Sequence, residues 1–126
     1  MLFTAIAFFS LAAILGMILI SFVLRGKSTP KGIVLMHGPI AAIGLFLLYS
    51  YAFYDSPKPI ASLILFTIAA LGGFVLLYRD LTGKILPKWL AALHGLIAIT
   101  GFAFLLVFAF APNTEGNTQH LHETKV

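Results

Sequence analysis

Apolar residues are gathered along this chain into four blocks, 2–24, 32–53, 60–78 and 89–111, separated by short polar stretches. The first and third blocks contain no Asp, Glu, Lys, Arg or His; the second contains only His37 and the fourth only His94. Each block is 19 to 23 residues long. About 20 residues of helix, rising about 1.5 Å each, cross a bilayer core of about 30 Å. A transmembrane barrel would show strict alternation of apolar and polar positions, which no block has. The pattern therefore predicts an all-α integral membrane protein with four transmembrane helices.

Composition agrees with the pattern. Of 126 residues 60% are hydrophobic and 10% charged, outside the range of soluble domains. There is no cysteine, so disulfides and thiolate ligands are ruled out. The formal charge of +4 comes from lysines and arginines spread over the loops. No basic patch forms, so nucleic acid is not an expected partner and the lipid bilayer is. Block 2–24 lacks the basic start and small-x-small site of a signal peptide and is too long for one. It is read as a permanent span.

The blocks are not independent. A shift of 57 residues lays 2–54 over 59–111 without a gap, and 18 of the 53 positions are identical. The matches include Gly26, Lys27, Pro30 and Lys31 on Gly83, Lys84, Pro87 and Lys88, and His37-Gly38-x-Ile40-Ala41 on His94-Gly95-x-Ile97-Ala98. Gly44 matches Gly101, and Ala12, Ala13 and Gly16 match Ala69, Ala70 and Gly73. Overlap of apolar segments supplies matching leucines by chance, but not this set of Gly, Pro, Lys and His. The expected organisation is one membrane domain, 1–111, made of two tandem helical hairpins (2–54 and 59–111) that form a four-helix bundle, with a polar, disordered tail at 112–126. A two-helix unit begins and ends on one side of the membrane, so its copy is a parallel repeat. The second and fourth helices then run the same way, and His37 and His94 lie at the same depth.

Six of the eight positive side chains, Arg25, Lys27, Lys31, Arg79, Lys84 and Lys88, fall in the first and third loops. By the bias of Lys and Arg towards the cytoplasm, loops 25–31 and 79–88 face inward and both termini outward. The expected location is a bacterial inner membrane. Tyr49, Tyr51 and Tyr54 suit one interfacial belt and Trp89 the other. Pro30 and Pro87 fall in the first turn of a helix, where a missing N–H costs nothing, and Gly26 and Gly83 serve the preceding turns.

In lipid the hydrophobic effect does little to drive helices together, so close approach at small residues must do it. Ala12-x-x-x-Gly16, Ala69-x-x-x-Gly73 and Ala91-x-x-x-Gly95 are read as packing seams, and a homo-oligomer through them is open. Ser10 and Thr67 are expected to bond their own helix backbone or a neighbouring helix. Pro39, where the second copy has Leu96, should bend its helix just past His37 and give the two histidines unequal surroundings.

His37 lies six residues inside Lys31, about 9 Å into the hydrocarbon, and His94 matches it. Ionisable side chains at that depth usually face a bundle interior and mark function. His37, Ala41, Gly44 and Leu48 form one helical stripe, and His94, Ala98, Gly101 and Leu105 another. The small residues are expected to leave a slot beside each imidazole. Two level histidines facing across a bundle are what axial ligation of one haem iron requires. Ala41, Ala98, Gly44 and Gly101 would then lie against the macrocycle, and Lys31 and Lys88, with Lys27 and Lys84 near, would meet its propionates. In this respect the arrangement resembles that of membrane b-type cytochromes, whose haem irons are held by histidines on neighbouring helices. The likeness is one of architecture and residue placement, and it implies haem b, electron transfer or haem carriage, and a redox partner.

Other readings stand beside it. Each imidazole can serve only to hydrogen bond a carbonyl or its twin, which makes the chain a non-enzymatic scaffold or assembly subunit. A proton or small-solute pathway is a third, weakened by the absence of Asp and Glu from the apolar blocks. Two imidazoles fall short of a zinc or copper site, and no carboxylate in the spans orients a histidine for hydrolysis. His120-x-His122-Glu123 in the tail offers a metal only an exposed, unsupported site.

Overall fold

The structure, a computed structural model, describes residues 1–111; the expectations for the tail at 112–126, including the His120–Glu123 group, lie outside the described residues. Four helices account for nearly all of it: α1 (Leu2–Leu24), α2 (Lys31–Tyr54), α3 (Ile60–Leu81) and α4 (Lys88–Phe110). Each is long and apolar enough to cross a membrane. They pack in a ring in which α1 touches α2 and α4, and α3 touches α2 and α4. The histidine-bearing helices α2 and α4 are thus diagonal to each other.

The first and third loops are built the same way. After α1 the chain closes with Gly26 N–H bonded to Val23 O (3.0 Å) and Lys27 N–H to Phe22 O (2.9 Å). After α3 the same pair recurs as Gly83 to Asp80 (3.3 Å) and Lys84 to Arg79 (2.9 Å). These bonds satisfy the last free carbonyls of each helix, and they require a left-handed residue at the turn. Gly26 (φ 67°) and Gly83 (φ 69°) supply it without the penalty a Cβ would bring. Pro30 and Pro87 then stand immediately before α2 and α4, in extended backbone, where no helical N–H is lost.

Large apolar side chains cover the outside. Met17, Phe46, Phe74 and Trp89 are each at least 66% exposed. Such a surface would be a liability in water and is ordinary against lipid acyl chains. The chain is an integral membrane protein.

Buried large side chains gather at one end of the bundle, the end away from loops 25–31 and 79–88. Ala5, Phe9, Leu48, Ala52, Leu63, Phe66 and Leu105 form this core. At its centre the rings of Phe9 and Phe66 stack, with centroids 3.9 Å apart and planes 4° from parallel. These residues are 57 apart, and their exposures, 6% and 6%, are the same. Leu48 and Leu105 are likewise both fully enclosed. Ser10 and Thr67 each bond the carbonyl four residues back, Ile6 and Leu63, and Thr67 also meets the hydroxyl of Tyr49 on α2.

Truncating either ring of the stack removes dispersion contacts that lipid tails only partly replace. Phe9→Ala or Phe66→Ala should therefore destabilise the bundle by less than the roughly 3–5 kcal/mol seen in soluble cores, about 1–3 kcal/mol each. Reversible unfolding in mixed micelles measures it, and a cost near zero for both would show that the stack is not central.

Candidate functional site: a pair of anchored imidazoles on the bundle axis

His37 and His94 face each other across the interior, with ring centroids 6.2 Å apart and planes at 79°. Each is held by the helix that precedes it in the chain. His37 Nδ1 lies 2.9 Å from Ala12 O on α1, and His94 Nδ1 lies 2.8 Å from Ala69 O on α3. A carbonyl oxygen only accepts, so Nδ1 carries the proton in both rings. In the neutral imidazole Nε2 is then left with its lone pair. Neither Nε2 has a hydrogen-bond partner among the described residues, and neither is among the fully enclosed polar atoms.

The anchoring depends on two glycines. A Cβ at Gly16 would sit 3.1 Å from Cε1 of His37, and one at Gly73 would sit 3.1 Å from Cε1 of His94. Each imidazole edge therefore lies in the notch one turn below the carbonyl that it bonds. Ala12-x-x-x-Gly16 and Ala69-x-x-x-Gly73 do act as close-approach motifs, as the sequence suggests, but what approaches Gly16 and Gly73 is an imidazole edge. On α4 the expected seam holds differently: Ala91 is buried, and Gly95 faces Ile20 of α1, whose Cδ1 would lie 3.7 Å from an added Cβ.

Pro39 does not produce the asymmetry expected of it. It lies inside a continuous α2 on an exposed position, and the two histidines have matching bonds and matching glycine contacts. The physical reason is that each ring is fixed by the neighbouring helix, α1 or α3, and not by the backbone beyond it. A small difference remains beside His94, where Gly72 stands in place of Leu15 and lies 3.9 Å from the imidazole by the same measure.

The slot expected along Ala41, Gly44, Ala98 and Gly101 is shorter than the helical stripe suggests. Gly44 is buried beneath the Phe9 ring, and Gly101 beneath Phe66 and Leu65. Those glycines make room for the phenylalanine stack, seven residues or about 10 Å from the histidines along the helix. Ala41 and Ala98 are only partly buried and lie in the interval between. The stretch with small side chains beside the imidazoles is thus one turn long, closed at its far end by the stacked rings.

At the other end, the two lysines are not equivalent. Lys31 Nζ lies 2.7 Å from Asp80 Oδ1 and 3.3 Å from Asp80 O, whereas Lys88 has no acidic partner among the described residues. Asp80 falls within the stretch 79–88 that the sequence assigns to a loop, but it belongs to the last turn of α3 and is only 9% exposed. Buried Thr29 donates its hydroxyl to the same Oδ1 at 2.6 Å, while Oδ2 is enclosed without a partner. Apolar blocks delimited by their charges ended α3 too early, so this carboxylate was missed. A repeat-based signal did exist: Asp80 falls on Val23, a buried position in the first copy. No group of three or more His, Cys, Asp or Glu able to hold a metal ion exists among the described residues.

Gly16→Ala and Gly73→Ala should each push an imidazole from its notch and weaken the bond to Ala12 or Ala69, costing about 1–2 kcal/mol. The loss should shrink when His37 or His94 is already leucine, as a double-mutant cycle on unfolding free energy would register. Full additivity of the two changes would separate the glycine from the ring.

Comparison of the chain with protein-family models, with curated proteins and with solved structures finds no match.

Proposed function

We propose that the protein is a small membrane haem carrier or electron-transfer protein holding one haem b between Nε2 of His37 and Nε2 of His94. The observation that supports this reading is the spacing of two anchored rings. A metal bonded to both imidazoles at about 2 Å would separate their centroids by roughly 6 Å, and the separation is 6.2 Å. Donation of the other ring nitrogen to a carbonyl is what ligating histidines usually do, since it fixes tautomer and ring orientation. Ala41 and Ala98 would lie beside the macrocycle, with Gly44 and Gly101 serving indirectly by seating the phenylalanine stack. Lys88 is the better candidate for a propionate, because Lys31 is engaged by Asp80. A haem with two imidazole ligands supplies one-electron chemistry, and a redox partner would complete the path.

A second reading is favoured by the same Nδ1 bonds, which already tie α2 to α1 and α4 to α3. On it the protein is a scaffold or assembly subunit, and the histidines are only fasteners. The two readings diverge in one measurement. Protein purified from haem-replete cells should show a Soret band and a reduced-minus-oxidised difference spectrum, both lost in His37→Leu and in His94→Leu. No Soret band, together with no haem uptake on reconstitution, removes the first reading. The scaffold reading expects the double leucine variant to stay folded.

We further infer that loops 25–31 and 79–88 face the cytoplasm of a bacterial inner membrane and both termini face outward, supported by six of eight positive side chains in those loops. Because the chain has no cysteine, single Ser28→Cys and Ser56→Cys variants report the topology cleanly. An impermeant maleimide added to intact cells should label position 56 and not 28; the reverse pattern inverts the assignment.

A further inference from the structure

The lysine-bearing end of the bundle contains a cavity of about 290 Å³. It is lined by six pairs of positions 57 apart, among them Lys27 with Lys84, Lys31 with Lys88 and Val23 with Asp80. A pocket assembled from repeat-related pairs lies on the axis that relates the hairpins, the same axis on which the imidazoles meet. It is a vestibule at the mouth of the bundle.

Its charge is unbalanced. The expectation that the positive charges form no patch is corrected here, because the fold brings the first and third loops together: four lysines line the cavity against one carboxylate, so 4 − 1 leaves three positive charges. Lys31 is the one neutralised, by Asp80. In a symmetric protein Lys88 would be neutralised by position 23, but that residue is Val23. Lys84 rests over the Tyr78 ring at 5.1 Å, and Lys27 has no acidic partner among the described residues. Lysines converging at a membrane surface attract phosphate groups at about 1 kcal/mol each.

The second feature is Asp80 itself. Its Oδ1 accepts from Thr29 and Lys31, and its Oδ2 is enclosed and unpartnered. A buried carboxylate oxygen without a donor is costly, and it calls for one. Among surrounding lysines a second cation would be repelled, whereas a hydroxyl would not. The ligand that answers both features is a phosphate carrying a hydroxyl on a short arm, and the cavity volume, at the lower limit of small-molecule pockets, suits a group of that size.

We propose that this vestibule binds a phosphoglycerol group, with Lys27, Lys84 and Lys88 on the phosphate and Asp80, which lines the cavity, turning its carboxylate so that Oδ2 accepts from a glycerol hydroxyl. The site stands apart from the histidine pair, but it shares Lys88 with the propionate contact proposed above, so a haem propionate and a phosphoglycerol group would compete for that lysine. The group can come from a membrane lipid headgroup or from a free glycerol phosphate.

The test uses the full chain in nanodiscs and in detergent. Calorimetric titration compares glycerol 3-phosphate with inorganic phosphate, and native mass spectrometry compares retention of phosphatidylglycerol with that of phosphatidylcholine. The wild type should prefer the phosphoglycerol ligand in at least one arm. Replacing Lys27, Lys84 and Lys88 together by glutamine should weaken it roughly fivefold per lysine, on the order of a hundredfold in all. Asp80→Val, which installs the residue that the first copy carries, should abolish the preference for glycerol 3-phosphate over inorganic phosphate while phosphate itself still binds. Lys58→Gln, in the opposite loop, should change nothing. Lipid retention without soluble binding assigns the site to a headgroup, and binding in both arms assigns it to the free ligand as well. Absence of binding in both arms, or binding that the triple lysine variant keeps while its helical content and melting temperature match the wild type, overturns the proposal.

Discussion

An imidazole inside a membrane-spanning bundle has no bulk water to take its N–H, and the interior around each histidine answers that constraint. The donor is satisfied by a backbone carbonyl, Ala12 for His37 and Ala69 for His94. That carbonyl already belongs to a helical ladder, so the ring can reach it only from the side, between turns. A Cβ one turn along would crowd the approach, 3.1 Å from the ring's Cε1, and Gly16 and Gly73 leave that space open. Three further properties follow from this one bond. The ring is held against the neighbouring helix, the proton is placed on Nδ1, and the lone pair of Nε2 is left for something else.

The rest of the axis is arranged in layers around the imidazoles. On one side Phe9 and Phe66 stack and are seated by Gly44 and Gly101. On the other the chain turns through two matching glycine-closed loops and gathers its lysines around a small cavity. The fully enclosed large apolar residues, Leu48 and Leu105, lie at the first end, whereas the histidines are only partly buried. Departures from symmetry are few. Pro39 has no effect on the imidazoles because it lies on the outside of α2. Asp80, by contrast, is buried and opposes Val23, so it makes the two lysine pairs chemically unequal.

Much of the fold was legible before any coordinates. Four apolar blocks of spanning length fixed the class, and the two Gly-Lys-x-x-Pro-Lys turns fixed the hairpins, since each residue there has a local reason that needs no tertiary partner. The level placement of His37 and His94 followed from the ungapped shift. Residues whose role is a contact with another helix were read less well. A helical stripe makes Gly44 and Gly101 the walls of a slot, because it shows where small residues lie and not what fills the space above them. For the same reason the small-residue spacing makes Gly16 and Gly73 helix-on-helix seams.

The sequence alone thus determined the number of spans, their limits to within a few residues, the repeat and the matching positions of the histidines on α2 and α4. These are properties of single helices, set by length, apolar run and turn chemistry. Only the tertiary structure decided which nitrogen of each imidazole is engaged, how far apart the rings stand, and that Asp80 lies buried against Lys31 and Thr29. Those depend on distances between helices, and in lipid such distances are set by side-chain shape at each contact, a quantity that no one-dimensional pattern carries.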